Sequence, residues 1–143
     1  MNDVVIVSAA RLAIGKFGGS LREVSDWDLG TIVISEAMKR AGLKGDEIDE
    51  VIIAHGFRTG DLPANSSRAV ALRAGVPFQI PEFTINKACG GSLRAISLAA
   101  QIIKAGESDI IVAGGMESMS RAAYILPKVR WAAGSDMPGS SIS

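Results

Sequence analysis

Four short runs of strand character alternate with segments of helical period, and this alternation constrains the chain more than any other feature. The runs are VVIVSAA (4–10), DEVIIAHG (49–56), PEFTIN (81–86) and SDIIVAGG (108–115). The first two are short continuous apolar runs, the pattern of a strand buried on both faces, and PEFTIN and SDIIVAGG read as a third and a fourth strand. Between the first two, SDWDLGTIVISEAMKRAG reads as a helix. Ser25 caps it, with Asp28 placed three residues on as in a capping box. Leu29, Ile32, Val33 and Ala37 form its apolar face, Lys39 and Arg40 suit its negative end, and Gly42 suits the C′ position. A shorter helix follows Asn65 or Ser66 and stops at Gly75, with Pro77 beyond. A third runs over 90–105 and stops at Gly106. The order β-α-β-α-β-α-β predicts an α/β fold with a mostly parallel sheet and crossover helices. No internal repeat is visible. After about residue 116 the periodicity is lost, and MESMSRAAYILPKVRWAAGSDMPGSSIS reads as a loop excursion. The expected division is therefore 1–118 as an α/β domain and 119–143 as the start of that excursion.

Composition removes several function classes. Of 143 residues, 48% are hydrophobic and 21% charged, enough for a real core. Fifteen Lys and Arg offset fifteen Asp and Glu, with no basic run, so neither nucleic acid nor a membrane surface is the expected partner. One Cys and one His leave no internal disulfide and no Cys-based metal cluster. No run approaches the length of a membrane span, and MNDVVIVSAA lacks the features of a signal peptide. The expected compartment is the cytoplasm, where a free thiol persists.

The third helix carries more apolar surface than one sheet can cover. Arg94, Ser97, Gln101 and Lys104 form one narrow polar stripe. Leu93, Ala95, Ile96, Leu98, Ala99, Ala100, Ile102 and Ile103 occupy most of the remaining circumference. A surface helix needs a narrower apolar arc, so this one is expected to be buried on more than one side, with another domain or chain supplying the second.

Cys89 lies between the third run and this helix. Backbone N–H groups at a helix N-terminus favour negative charge, and a thiolate there gains from them. Gly90 and Gly91 permit an unusual turn and close approach of a ligand. Ligands of open α/β sheets gather at the C-terminal ends of strands, which is where Cys89 falls. The competing reading is a small buried apolar residue, since free Cys is among the most buried residue types. His55 follows the second run, so a parallel sheet places it on the same edge; as a lone His at a strand end it also reads as a polar loop residue.

NKACGGSLRAISLAAQIIKAGESDIIVAGGMESMS resembles the nucleophile segment of the thiolases, the acetyl-CoA acetyltransferase family. Asn86, Cys89, Leu93, Gly114, Gly115, Met116, Glu117, Met119 and Ser120 match the N-x-x-C turn and the G-G-M-E-x-M-S strand end. VVIVSAARLAIGKFGGSL resembles the family's opening, with Leu12 in place of Thr. LPKVRW resembles the segment that many members carry after the strand end. Two stretches depart from the pattern. The order after Cys89 is Gly90-Gly91-Ser92 where members usually place the hydroxyl one residue earlier, about 100° of helix rotation. The loop before Asn65 and Arg68 differs although those two residues match.

The resemblance implies the first, nucleophile-bearing half of a thiolase fold, cut within its loop domain. The G-H-P, N-E-A and C-x-G motifs of the second half have no counterpart in the chain, and the apolar third helix would lie between the two halves. It implies Cys89 as nucleophile and acyl carrier, with its backbone N–H in an oxyanion hole. Asn86, Gly90, Gly115, Met116 and Glu117 are then supporting residues. It further implies acetyl-CoA and acyl-CoA thioesters as substrates, no metal and no permanently bound cofactor, and a role in fatty acid metabolism. The implied assembly is a homodimer or tetramer, and the missing half would come from the same or another chain. Without that half the 143-residue chain is expected to be inactive. A ketoacyl-synthase-type condensing enzyme of the same fold is an alternative, as is a non-catalytic assembly subunit; GGMESMS favours thiolase.

Overall fold

The computed structural model describes residues 3–57 and 65–124. Six main elements follow in order: α1 (Asp26–Ala41), β1 (Glu50–Ala54), α2 (Ser66–Arg73), β2 (Glu82–Ile85), α3 (Gly91–Ala105) and β3 (Ile111–Gly115), with single 3-10 turns at 45–47, 88–90 and 119–121. The strands form one parallel sheet in the order β2-β1-β3. The α/β class and the parallel sheet expected from the sequence are both present.

The helix ends follow from local chemistry. Ser25 Oγ accepts from the Asp28 N–H at 3.0 Å, and Gly42 closes α1 at φ 72°. Asn65 caps α2 by accepting from the Arg68 N–H, and Gly106 ends α3 at φ 77°. Asp49 Oδ2 accepts from the N–H groups of Asp109 and Ile110, both at 2.8 Å, which fixes the chain as it enters β3.

β1 is the centre of the domain. It has a neighbour on each edge and helices on each face, and Val51 and Ile52 are fully buried. Its alternation divides the core in two. Val51 and Ile53 pack with Ile34, Met38, Val70 and Ala71 under α1 and α2, whereas Ile52 packs with Ala95 and Ala99 under α3. Polar groups stitch the α2 side. Ser67 Oγ donates to the Phe83 carbonyl at 2.7 Å and accepts from the Ile53 N–H at 3.2 Å, and Arg68 pairs with the Glu82 carboxylate.

One expected strand does not form. Residues 4–10 make no sheet ladder among the described residues, and Val5, Ile6 and Val7 are 71%, 77% and 72% exposed. β2 and β3 take both edges of β1, and the run pairs with the outer edge of neither among the described residues. An extended run becomes a strand only beside a partner that satisfies its N–H and C=O groups. Arg40 ties the run to α1 by donating to the Ala9 carbonyl at 3.0 Å. Residues 58–64 of the second loop and all of 125–143 lie outside the described residues, so only 119–124 of the expected excursion is described. Among the described residues, no helix is long and apolar enough to cross a membrane.

Two stability changes follow. Ile52→Ala opens a cavity between sheet and α3, and urea unfolding is expected to show a loss of about 2–5 kcal/mol. Glu50 behaves differently. Burial, then the nearby Glu107, raises its carboxyl above the ordinary 4.5. The folded state therefore holds that proton more tightly than the unfolded chain. The group's contribution is present below pH 4.5 and is lost as pH rises through the folded value. Glu50→Gln is expected to raise the urea midpoint at pH 7, and the gain should shrink on acidification.

Candidate active site

The three strands end in register, with Ala54 beside Ile85 and beside Gly115. The residues that follow them, His55, Asn86 and Met116, therefore start from one edge of the sheet. This is the carboxyl edge, where open α/β sheets bind ligands. Cys89, Glu117 and the Gly56–Phe57 backbone gather there.

Cys89 is exposed in the described structure. It lies inside the 3-10 turn Ala88–Gly90, one residue before the cap of α3, so a short turn intervenes between the end of β2 and the helix proper. Ala88 has φ 45°, a left-handed conformation that side-chain-bearing residues seldom adopt. Asn86 braces it. Its Oδ1 accepts from the Ala88 N–H at 3.0 Å, and its Nδ2 donates to the Gly56 carbonyl at 3.1 Å. The turn is thus held both within itself and to the loop after β1.

The glycines divide by what surrounds them. A Cβ on Gly91 would stand 2.7 Å from the Ala54 Cβ. A Cβ on Gly115 would collide with Ser92 Oγ and lie 3.1 Å from the Ala54 carbonyl. Both are glycine because the first turn of α3 presses onto the ends of β1 and β3. The unusual Gly91-Ser92 order has its place here: the small residue faces Ala54, and the hydroxyl lies against Gly115. Gly90, singled out from sequence, would have nothing within 4 Å of an added Cβ, so crowding does not explain it. Met116 donates its N–H to the Ala54 carbonyl at 3.0 Å and packs against the α1/α2 core.

Behind the edge lies a polar cluster that no sequence motif announces. His55 is 1% exposed. Its Nε2 lies 2.9 Å from Asp26 Oδ2 and 3.3 Å from Glu117 Oε1, and its Nδ1 lies 2.8 Å from Ser66 Oγ. Glu117 Oε2 accepts from the N–H groups of Gly56 at 2.9 Å and Phe57 at 3.2 Å. Glu117 and Asn86, both expected near the turn, are bonded to it or to the adjoining loop. In the sequence Asp26 and Ser66 mark only helix starts, since neither carries a signal for a partner far along the chain. Asp26, His55 and Glu117 bring ligand-type atoms within 4.8 Å of one another. Both His55 ring nitrogens already face protein partners, which is the pattern of an internal hydrogen-bond cluster.

Comparison with known proteins gives a consistent picture. Residues 4–140 match the family model described as thiolase, N-terminal domain. The chain is 51% identical over 136 residues to an acetyl-CoA acetyltransferase of Syntrophomonas wolfei, covering 95% of this chain and 34% of that protein. It is 43% identical over 131 residues to a beta-ketothiolase of Cupriavidus necator, covering 92% and 33%. The crystal structure of the Bacillus anthracis acetyl-CoA acetyltransferase superposes with a TM-score of 0.85 at 41% identity, covering 94% of this chain and 33% of that one. The chain thus spans about a third of the length of these relatives.

The packing of Gly91 is directly testable. Gly91→Ala is expected to destabilise the domain by about 1–3 kcal/mol through overpacking against Ala54. Adding Ala54→Gly should return part of that loss in urea unfolding, because it removes the atom that collides.

Proposed function

Because this chain belongs to the thiolase family, we propose that it carries the acyl-accepting nucleophile of an acetyl-CoA acetyltransferase. The observation that carries this reading is Cys89: an exposed thiol in a 3-10 turn, next to left-handed Ala88, on the carboxyl edge of a parallel sheet. Its Sγ, as thiolate, attacks the carbonyl carbon of an acyl-CoA thioester. The tetrahedral intermediate collapses by breaking the carbon–sulfur bond to CoA, which leaves as a thiolate and is protonated. The acyl group is then a thioester on Cys89. The enolate of a second acetyl-CoA attacks that carbonyl, forms the 3-ketoacyl-CoA and returns the Cys89 thiolate. The reverse sequence is thiolysis.

Two further features bear on the mechanism. The Cys89 backbone N–H is the chain's own contribution to an oxyanion hole. The one histidine is buried against Asp26 and Ser66, so the base that activates the thiol and the group that deprotonates acetyl-CoA are assigned to the remaining two-thirds of a thiolase-length polypeptide. The same region is proposed to cover α3, whose Leu93 and Ile96 are 76% and 40% exposed. No permanently bound cofactor enters this cycle. An exposed catalytic thiol also suits a reducing compartment such as the cytoplasm.

Incubation with acetyl-CoA followed by peptide mass spectrometry tests the assignment. In the presence of a complementing second half, an acetyl group is expected on the peptide holding Cys89, and Cys89→Ala should abolish it together with acetoacetyl-CoA thiolysis. An unmodified Cys89 under those conditions rejects the reading. The 143-residue chain alone is expected to show no thiolysis when loss of the acetoacetyl-CoA enolate absorbance is followed.

A further inference from the structure

The buried cluster behind the carboxyl edge has no part in the acyl transfer described above, yet it is bonded through to the nucleophile turn. The His55 Nε2–H faces the Asp26 carboxylate at 2.9 Å, and Glu117 Oε1 stands 3.3 Å from the same nitrogen. The second oxygen of Glu117 holds the Gly56 and Phe57 N–H groups. The carbonyl of the same Gly56 accepts from Asn86, and Asn86 accepts from the N–H of left-handed Ala88, next to Cys89. An unbroken chain of contacts therefore runs from Asp26 on α1, through His55 after β1 and Glu117 after β3, to the turn after β2.

We propose that His55 is a positioning residue for Cys89. It fixes the Glu117 carboxylate, Glu117 fixes the Gly56–Phe57 backbone, and that backbone with Asn86 holds Ala88 in the conformation that aims the thiol. Without the His55 donor, two carboxylates face each other, and Glu117 swings away from the loop it clamps. Ser66, at the other ring nitrogen, sets the plane of the imidazole and so the direction in which its N–H points. The consequence for catalysis rests on Cys89 being the nucleophile; the coupling from His55 to the turn does not.

The experiment reads Cys89 directly in the full chain, as the rate of alkylation by iodoacetamide relative to urea-denatured protein. His55→Ala and Glu117→Ala are each expected to change the folded-state rate by about threefold or more, and the double variant should go no further than either, because both break one pathway. His55→Gln, which keeps an N–H donor near the position of Nε2, should restore a rate close to the parent's. Glu117→Ala leaves the buried Asp26–His55–Ser66 contacts intact, so it reports on the turn even if His55→Ala fails to fold. A lowered thermal midpoint with a parental alkylation rate in Glu117→Ala, or in a folded His55→Ala, would mean that the cluster only stabilises the fold, and would overturn the proposal. Additive effects in the double variant would overturn it as well. Acetyl transfer to Cys89 in the parent is measured separately, so a failed nucleophile assignment and a failed positioning role give different results.

Discussion

The first turn of α3 lies almost in contact with the end of β1. Gly91 approaches Ala54 so closely that a single added carbon would sit 2.7 Å from the Ala54 Cβ, and Ser92 presses on Gly115 in the same way. Three consequences follow from this approach. The helix start is drawn against the carboxyl edge of the sheet, so the link from β2 must turn sharply within a few residues. That sharp link is the 3-10 turn with Ala88 at positive φ and Cys89 exposed on it. The end of β3 is drawn in as well, with Met116 bonded to the Ala54 carbonyl and Glu117 delivered beside the loop after β1.

The polar contacts divide into those that hold the sheet together and those that hold its edge. Ser67, Asn65 and Thr84 satisfy backbone groups where α2 crosses β1 and β2, and Thr84 Oγ1 donates to Asn65 Oδ1 at 3.0 Å. Such contacts are expected wherever a helix crosses strand ends, because buried N–H and C=O groups need partners. The Asp26–His55–Glu117 cluster is different. Its members come from three separated segments, and its outermost member reaches solvent-accessible backbone beside the turn that carries Cys89. A buried histidine facing two carboxylates is a specific arrangement that a sheet core does not need for its own sake.

Two apolar surfaces remain uncovered in the described structure. The run 4–10 makes no ladder among the described residues, and α3 turns Leu93 and Ile96 outward. Exposed apolar surface of this kind marks an interface. The chain spans about a third of the length of its thiolase relatives, and the excess of apolar positions on α3 can be counted in the sequence alone. The failure of 4–10 to pair has the same physical root as the bare helix face. A strand and a buried helix are both defined by what lies beside them, and here the neighbours are not among the described residues.

The sequence by itself determined most elements of the fold and singled out the turn that carries Cys89. Short strand-like runs ending at Gly56, Asn86 and Gly115 marked β1, β2 and β3. Ser25, Asn65, Gly42 and Gly106 marked helix ends, because capping and left-handed closure are local chemistry that needs no distant partner. The Asn86 to Cys89 turn and GGMESMS together pointed to the thiolases. Tertiary structure decided which strands pair, leaving out the run at 4–10. It decided why glycine stands at 91 and 115, and which distant side chains meet. Asp26 reads in sequence as an acidic residue in a first helical turn and His55 as a lone polar residue after a strand. Only the packing of α1 with α2 on one face of the sheet brings them to 2.9 Å. Contacts of that kind depend on where separate segments lie in space, and no local pattern of residue types encodes that placement.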